Sequence, residues 1–256
     1  MNIPQISNSL PEVSGSINGT FDLSGLPSAP SLNTSLQLNN ISVAKLFIAS
    51  AQLRGSATLN TALPFDLSLT SNNVTIADAV LEQVSIELNG HLASHQLNVK
   101  SQGSPWSANM TLNGKSNAKG WYADIPVASI GTPLSNWQLT KAITVDIVNQ
   151  EQTITIGDHC YAQQGAFNSQ ICLNNSLILN GETKYSNLAT LSLNNFDLLQ
   201  LNSLISQPIA LAGTLNSQID FKIKGDDNIY LYSTSSVNAG VAAMTFKERT
   251  YRHQFD

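Results

Sequence analysis

Apolar and polar residues alternate along much of this chain. A period of two places the apolar side chains of a strand on one face and the polar side chains on the other. Sheets with one wet face are typical of antiparallel pairing. The pattern therefore predicts many antiparallel strands. The clearest runs are Phe65–Leu69, Val84–Leu88, Ala108–Leu112, Ile143–Ile147 and Ile219–Ile223.

Asparagine-glycine pairs follow several of these runs. They occur at Asn89-Gly90, at Asn113-Gly114 and at Asn180-Gly181. Asn-Gly is a strong hairpin signal, because both residues tolerate a positive φ. We therefore predict a tight hairpin turn at each pair.

Two segments interrupt the alternation with helical spacing. They are Ala44–Gln52 and Asp197–Ser206, the second with Asp197 in position to cap a helix. Each precedes a similar Leu-x-Gly motif, at Leu53–Gly55 and at Leu211–Gly213. Such recurrence predicts an elongated architecture in which each repeat packs mainly on its neighbours.

Together these signals predict an all-β protein. We expect an elongated, curled and mostly antiparallel sheet, a β-groove, with short helical interruptions. We predict one continuous segment over residues 1–240, with a weak boundary near 187–195. Residues 241–256 form an atypical tail, because charged side chains crowd there in a chain that is otherwise poor in charge.

The composition narrows the classes of partner. Of the 256 residues, 42% are hydrophobic and 11% are charged, against roughly 25% charged in an ordinary soluble domain. A net charge of −5 gives no basic footprint for nucleic acid and no polybasic patch for anionic headgroups. Any contact with lipid must therefore use apolar surface.

No targeting or membrane-spanning segment is recognisable in the sequence. No stretch approaches the roughly 20 apolar residues that a membrane span needs. Residues 1–13 lack the basic and apolar regions of a signal peptide. The chain is then either cytoplasmic or an internal piece of something longer, and we favour the second interpretation.

The reactive side chains do not assemble a catalytic pattern. Cys160 and Cys172 fit no common zinc or thioredoxin spacing. We favour a structural disulfide between them, with two buried thiols as the alternative. His91 and His95 are four residues apart, but the strand pattern around them argues against a metal site. We expect no enzyme activity, no cofactor and no metal.

One region carries a family resemblance. Its elements, in order, are Gly120–Ile125, Thr132–Leu139, Asn149–Gly157, His159-Cys160 and Ile171–Leu173. This order resembles the TamB family, the translocation and assembly module subunits of Gram-negative bacteria. The resemblance is strongest over residues 80–225, looser over 10–80 and absent after about 238. The three tryptophans of this region form either an interface or ordinary packing.

The resemblance implies a periplasmic bridge protein. Family members are anchored in the inner membrane by an N-terminal helix. Their far C-terminal domain engages TamA, an outer-membrane barrel. They are associated with moving phospholipid to the outer membrane and with assembly of outer-membrane proteins, along a sheet curled into a trough. Neither end is recognisable in this sequence.

A lipid carrier has a clear energetic requirement. Each methylene group moved out of water contributes about 0.8 kcal/mol, so two acyl chains in water would cost on the order of 20 kcal/mol. An apolar floor removes most of that barrier. We predict that phospholipid acyl chains lie on the apolar strand face. Its predicted residues are Val84, Ile86, Leu88, Met110, Leu112, Ile143, Val145, Ile147, Ile154, Ile156, Ile219, Phe221 and Ile223.

Two other functions fit the sequence. A secreted adhesin or autotransporter passenger is also rich in Asn, Ser, Thr and Gly, but forms a parallel β-helix. A chaperone-like scaffold could instead pair its sheet edges with the strands of outer-membrane proteins.

Overall fold

The computed structural model describes residues 2–3, 13–77, 79–150, 152–180, 189–205, 209–224, 228–246 and 249–255. Strands make up 77% of it and helix 3%, which confirms the all-β class. The chain divides into two compact units, unit 1 (Met1–Gly131) and unit 2 (Thr132–Asp256). The boundary near 187–195 stays a prediction.

Unit 1 is an antiparallel meander. Each strand from β2 to β8 pairs with the next strand along the chain, and β1 pairs with the start of β2. Two-residue turns join several of the pairs. The strands are β1 (Asn2–Ile3), β2 (Val13–Leu26), β3 (Ala29–Val43), β4 (Leu46–Thr58), β5 (Phe65–Ile76), β6 (Ala79–His91), β7 (Ser94–Gln102), β8 (Ser107–Asn117) and β9 (Gly120–Gly131).

The polar face of unit 1 satisfies its own hydrogen bonds. Gln96 Nε2 donates to Asn113 Oδ1 at 2.9 Å, and Asn113 Nδ2 donates to Asp124 Oδ2 at 3.0 Å. On the neighbouring row Thr111 Oγ1 donates to Asn98 Oδ1 at 2.9 Å. A face built from amides and hydroxyls needs few ions, which accounts for the low charge content.

The predicted Asn-Gly hairpins are wrong at two sites. Gly90 lies inside β6 and Gly114 inside β8, and the chain turns a few residues later. Both glycines pair with His95 of β7, one from each side. A Cβ on Gly114 would lie 2.2 Å from His95 Nε2, so glycine makes room for the imidazole. The third pair, Asn180-Gly181, ends outside the described residues.

The first predicted helix is also wrong. Ala44 and Lys45 form a turn, and the rest of Ala44–Gln52 belongs to β4. Phe47 and Ile48 favour strands, and β4 has a paired strand on both sides. Pairing with two neighbours outweighs weak helical spacing in so short a segment.

Unit 2 continues in antiparallel strands with one helical interruption. Its pairs are β10–β13, β11–β12, β12–β15, β13–β14, β14–β16, β16–β17, β17–β18 and β18–β19. The strands are β10 (Asn136–Leu139), β11 (Ile143–Val148), β12 (Thr153–Ile156), β13 (His159–Gln163), β14 (Gln170–Leu173), β15 (Leu177–Asn180), β16 (Ala189–Asp197), β17 (Ile209–Lys224), β18 (Asn228–Phe246) and β19 (Arg249–Phe255).

The second predicted helix is present in a shorter form. Leu198–Ser203 is a 3₁₀ helix, and Asp197 caps it by accepting a hydrogen bond from the Leu199 backbone N–H at 2.9 Å. The charged C-terminal segment belongs to the sheet, since β19 pairs with the end of β18.

The predicted disulfide is confirmed. Cys160 of β13 faces Cys172 of β14 across the ladder, with 4.1 Å between their Cα atoms, and the two sulfurs are bonded. On the other side of β14, Cys172 pairs with Ser192 of β16. The two cysteines meet because their strands pair, and not because of a local spacing motif.

Replacing both cysteines with alanine should destabilise unit 2. The bond closes a sequence separation of 12, so the chain-entropy model gives a loss of about 3 kcal/mol. Urea unfolding measures this, and wild type under reducing conditions is the control. Identical unfolding curves for oxidised wild type and the double variant would contradict a stabilising role.

Candidate functional site

Five predicted floor residues meet on one face of unit 1. Ile86 pairs with Val99, which pairs with Met110. The next row has Leu88, Leu97 and Leu112 in the same relation. Val84 lies two positions before Ile86 and points to the same side. The register therefore aligns apolar side chains in rows across several strands.

The sequence prediction missed about half of this face. We call the whole set the unit 1 apolar face. Its further members were visible as alternating residues, but only the register shows that they continue the same rows. We apply the name to Leu36, Leu53, Leu67, Leu69, Val84, Ile86, Leu88, Leu97, Val99, Met110 and Leu112.

This face is half-covered. Each of its side chains is partly exposed, whereas a sandwich core would bury most of them. Among the described residues of unit 1, the buried hydrophobic side chains are mostly small, and Ala128 among them pairs with Met110. They are Ile41, Ala51, Val74, Ala123 and Ala128.

The predicted floor residues of unit 2 fall into two sets. Val145 pairs with Ile156 and Ile147 with Ile154, so these four share one face of β11 and β12. The row continues into β15 through Leu177 and Leu179, which the sequence prediction omitted. Ile143, at the start of β11, is buried.

The second set lies on β17. Ile219 pairs with Leu191, and Phe221 pairs with Ala189. Both Ile219 and Phe221 are partly exposed. Ile223 lies in the same strand, but its side chain is outside the described residues.

A histidine lies in the row next to the leucine rows of unit 1. Trp121 Nε1 donates to His95 Nε2 at 3.0 Å, and the two rings stack with centroids 6.1 Å apart. Phe65 approaches the imidazole from β5, at 6.4 Å between ring centroids. No local sequence pattern indicates this cluster, because the facing of both glycines to His95 is visible only in the register.

The hydrogen bond fixes the tautomer of His95. An indole N–H is only a donor, so Nε2 must accept with its lone pair. The neutral imidazole then carries its proton on Nδ1. His95 therefore presents one N–H donor that the tryptophan does not use.

In unit 2 the 3₁₀ helix covers part of the sheet. Trp137, Phe196 and Leu198 form a buried cluster there. Tyr161 packs against it, and burial raises the pKa of its phenol. The tryptophans thus have separate roles: Trp137 is a core residue, Trp121 binds His95, and Trp106 is 39% exposed.

Polar side chains fasten this helix to the strands. Gln163 and Gln200 are buried and exchange two amide hydrogen bonds, one of them from Gln200 Nε2 to Gln163 Oε1 at 3.2 Å. Asn202 accepts from the Leu211 N–H at 2.7 Å and donates to the Leu211 carbonyl at 2.9 Å. The outer side of the helix exposes Leu199.

The described charged side chains do not form a candidate binding site. Lys141 donates to Asp158, and this bond holds the pKa of the carboxyl below its usual range. Both side chains are about half-exposed, where such a pair contributes little to stability. Among the described residues, His, Cys, Asp and Glu form no group of three that could hold a metal ion.

The buried glutamine pair should behave as a unit. Gln163→Leu or Gln200→Leu alone should each lower the free energy of unfolding by about 2 kcal/mol, because the remaining amide stays buried without its partner. The double variant should lose less than either single variant. Urea unfolding of the four proteins in this cycle measures the coupling, and strictly additive losses would contradict it.

The fold and its faces define an antiparallel β protein whose sheet has an apolar side and an amide-rich side. Residues 1–255 match the family model for "TamB, N-terminal domain", and the chain belongs to this family. The match includes the C-terminal segment, for which the sequence motifs had shown no resemblance.

A curated relative supports the same family. The chain is 26% identical over 171 residues to the translocation and assembly module subunit TamB of Haemophilus influenzae. The aligned region covers 63% of this chain and 13% of that relative. No solved structure matches the chain. Within the described residues, no helix has the length and apolar character to cross a membrane.

Proposed function

We propose that this chain is a non-enzymatic, periplasmic segment of a bridge between the inner and outer membranes. It carries phospholipid on its apolar sheet face and supports outer-membrane biogenesis, including the assembly of outer-membrane proteins. Other parts of the full-length protein anchor it in the inner membrane and engage a TamA-like outer-membrane barrel through a C-terminal domain.

The continuous leucine rows of unit 1 carry this proposal. From Leu53 through Leu69, Ile86 and Val99 to Met110, each apolar side chain faces the next across a strand pair. Adjacent strands lie about 4.8 Å apart, so five of them offer roughly 19 Å of apolar surface. That length matches an extended acyl chain.

The chemistry of the face suits a cargo that moves. Its side chains are similar aliphatic groups, so successive positions along it offer similar binding free energies. Partial exposure leaves an open side, where a charged headgroup stays in water. No deep well holds the lipid in one place.

The two other candidate functions fare differently. Every strand pair among the described residues is antiparallel, which disfavours the parallel β-helix of an adhesin passenger. A scaffold for client strands draws support from β2, where Phe21 and Leu23 are exposed and pair only with β3 among the described residues. Protein adducts in the following experiment would favour that function.

Photo-crosslinking should separate the two faces. A photoreactive residue at Leu88 or Met110 should capture phospholipid, because both positions lie on the unit 1 apolar face. Glu87 and Asn109 are matched controls, one residue away in the same strands and on the polar face. Mass spectrometry of the adducts identifies the cargo, and equal lipid labelling at all four positions would overturn the assignment.

Arginine on the β11 floor should obstruct lipid. Val145→Arg or Ile147→Arg places a cation among Ile154 and Ile156, where an acyl chain would have to desolvate it. Asp146→Arg, on the opposite side of the same strand, is the control. Native mass spectrometry should find several-fold less phospholipid bound to the first two variants, and equal occupancy in all three would count against this part of the floor.

A further inference from the structure

His95 is a polar group in an otherwise apolar row. It precedes Leu97 by one step of the two-residue repeat, so both side chains point to the unit 1 apolar face. Gly90 and Gly114 occupy the facing positions on both neighbouring strands. The ring therefore lies over backbone and is accessible from the side of the face.

The Nδ1–H of His95 is a hydrogen-bond donor without an acceptor among the described residues. Trp121 occupies Nε2, which leaves the proton on Nδ1. Within the described part of the chain, no atom accepts a hydrogen bond from Nδ1. No described side-chain nitrogen or oxygen that is buried lacks a partner either, so Nδ1 must reach solvent.

This donor lies close to the leucine rows. The row of His95 adjoins that of Leu88, Leu97 and Leu112. An acyl chain that lies on the leucines and ends at β7 would place the polar end of its lipid within one row, about 7 Å along the strand, of the imidazole. Ester carbonyl and phosphate oxygens are the acceptors found at that end of a diacyl lipid.

We propose that His95 is a headgroup-side binding residue: its Nδ1–H donates to an ester or phosphate oxygen of a diacyl lipid whose chains lie on the unit 1 apolar face. Trp121 is the positioning residue, since it holds the imidazole in the tautomer that donates from Nδ1. This inference rests on the proposed lipid-carrying function and assigns a specific contact within it.

The site differs from an ion-binding site. A neutral imidazole N–H recognises an oxygen acceptor without requiring a full negative charge. Phe65 and Trp121 flank the ring with apolar surface, so a free phosphate ion would lose hydration there without an opposite charge to compensate. A lipid compensates through its acyl chains.

Nuclear magnetic resonance of the intact 256-residue chain tests this contact, with two labels read in each titration. Methyl-labelled methionine places a probe at Met110 on the leucine rows. ¹⁵N-labelled histidine reports the tautomer and Nδ1 of His95. The ligands are dihexanoylphosphatidylcholine below its micelle concentration, decane, and inorganic phosphate.

Dihexanoylphosphatidylcholine should shift both Met110 and His95 Nδ1, whereas decane should shift Met110 alone and phosphate neither. Lipid that shifts Met110 but leaves Nδ1 unchanged would overturn the His95 contact and leave the carrier function standing. Lipid that shifts neither probe would overturn both. A shift of Nδ1 by phosphate alone would show an anion site and also overturn the proposal.

Variants sharpen the test. His95→Phe keeps a flat ring but removes the donor, so the phospholipid affinity should fall about 5-fold, as expected for one neutral hydrogen bond, while decane affinity is retained. Trp121→Phe should let the other tautomer of His95 appear in the ¹⁵N spectrum and weaken phospholipid binding. His91→Phe, an exposed histidine on the polar side of β6, is the matched control and should leave every titration unchanged. Equal loss of phospholipid and decane binding in His95→Phe would show a packing role only.

Discussion

The register of the backbone ladder is the constraint on which this protein depends. Few of the described side chains are buried, so cross-strand pairing rather than a dense core holds the strands in place. Each facing apolar pair contributes roughly 0.2–1 kcal/mol, and the meander repeats such pairs along every strand. A slip of one residue would turn a whole strand's leucines to the polar side, because side chains alternate with a period of two. The same register that stabilises the sheet therefore also builds its apolar face.

The polar side shows how such a sheet stays hydrated with so little charge. Amides can donate and accept at once, so Gln96 donates to Asn113 on the next strand and accepts from Asn98 on its own strand. Ionic groups in the same positions would repel when alike and would need partners when buried. Asparagine has a second use inside the strands: Asn40 and Asn73 adopt left-handed backbone conformations, with φ of 50° and 51°, and the ladder on β4 skips both positions. Asparagine tolerates this conformation better than most residues do.

The alternation of apolar residues predicted the strands and one face of the sheet correctly, because both depend on a local period. The positions of the turns were harder to predict from the sequence. Asn89-Gly90 and Asn113-Gly114 have the chemistry of a hairpin, yet both are inside strands, where each glycine makes room for His95 on the neighbouring strand. The Gln163–Gln200 pair joins residues 37 apart, and no local pattern distinguishes it from other glutamines. The capped 3₁₀ helix was predictable because Asp197 acts on the residues that directly follow it.

A carrier must hold its cargo without trapping it, and this limits the polar groups that its apolar face can include. A lysine or arginine beside the leucine rows would bind a phosphate oxygen through a charge-assisted bond, roughly twice as strong as a neutral one. A neutral imidazole contributes about 1 kcal/mol, which is close to thermal energy and permits rapid exchange. Trp121 serves this balance, because its indole N–H occupies Nε2 and leaves Nδ1 as the donor. The His95–Trp121 pair can therefore orient the polar end of a lipid while leaving the acyl chains free to move along the face.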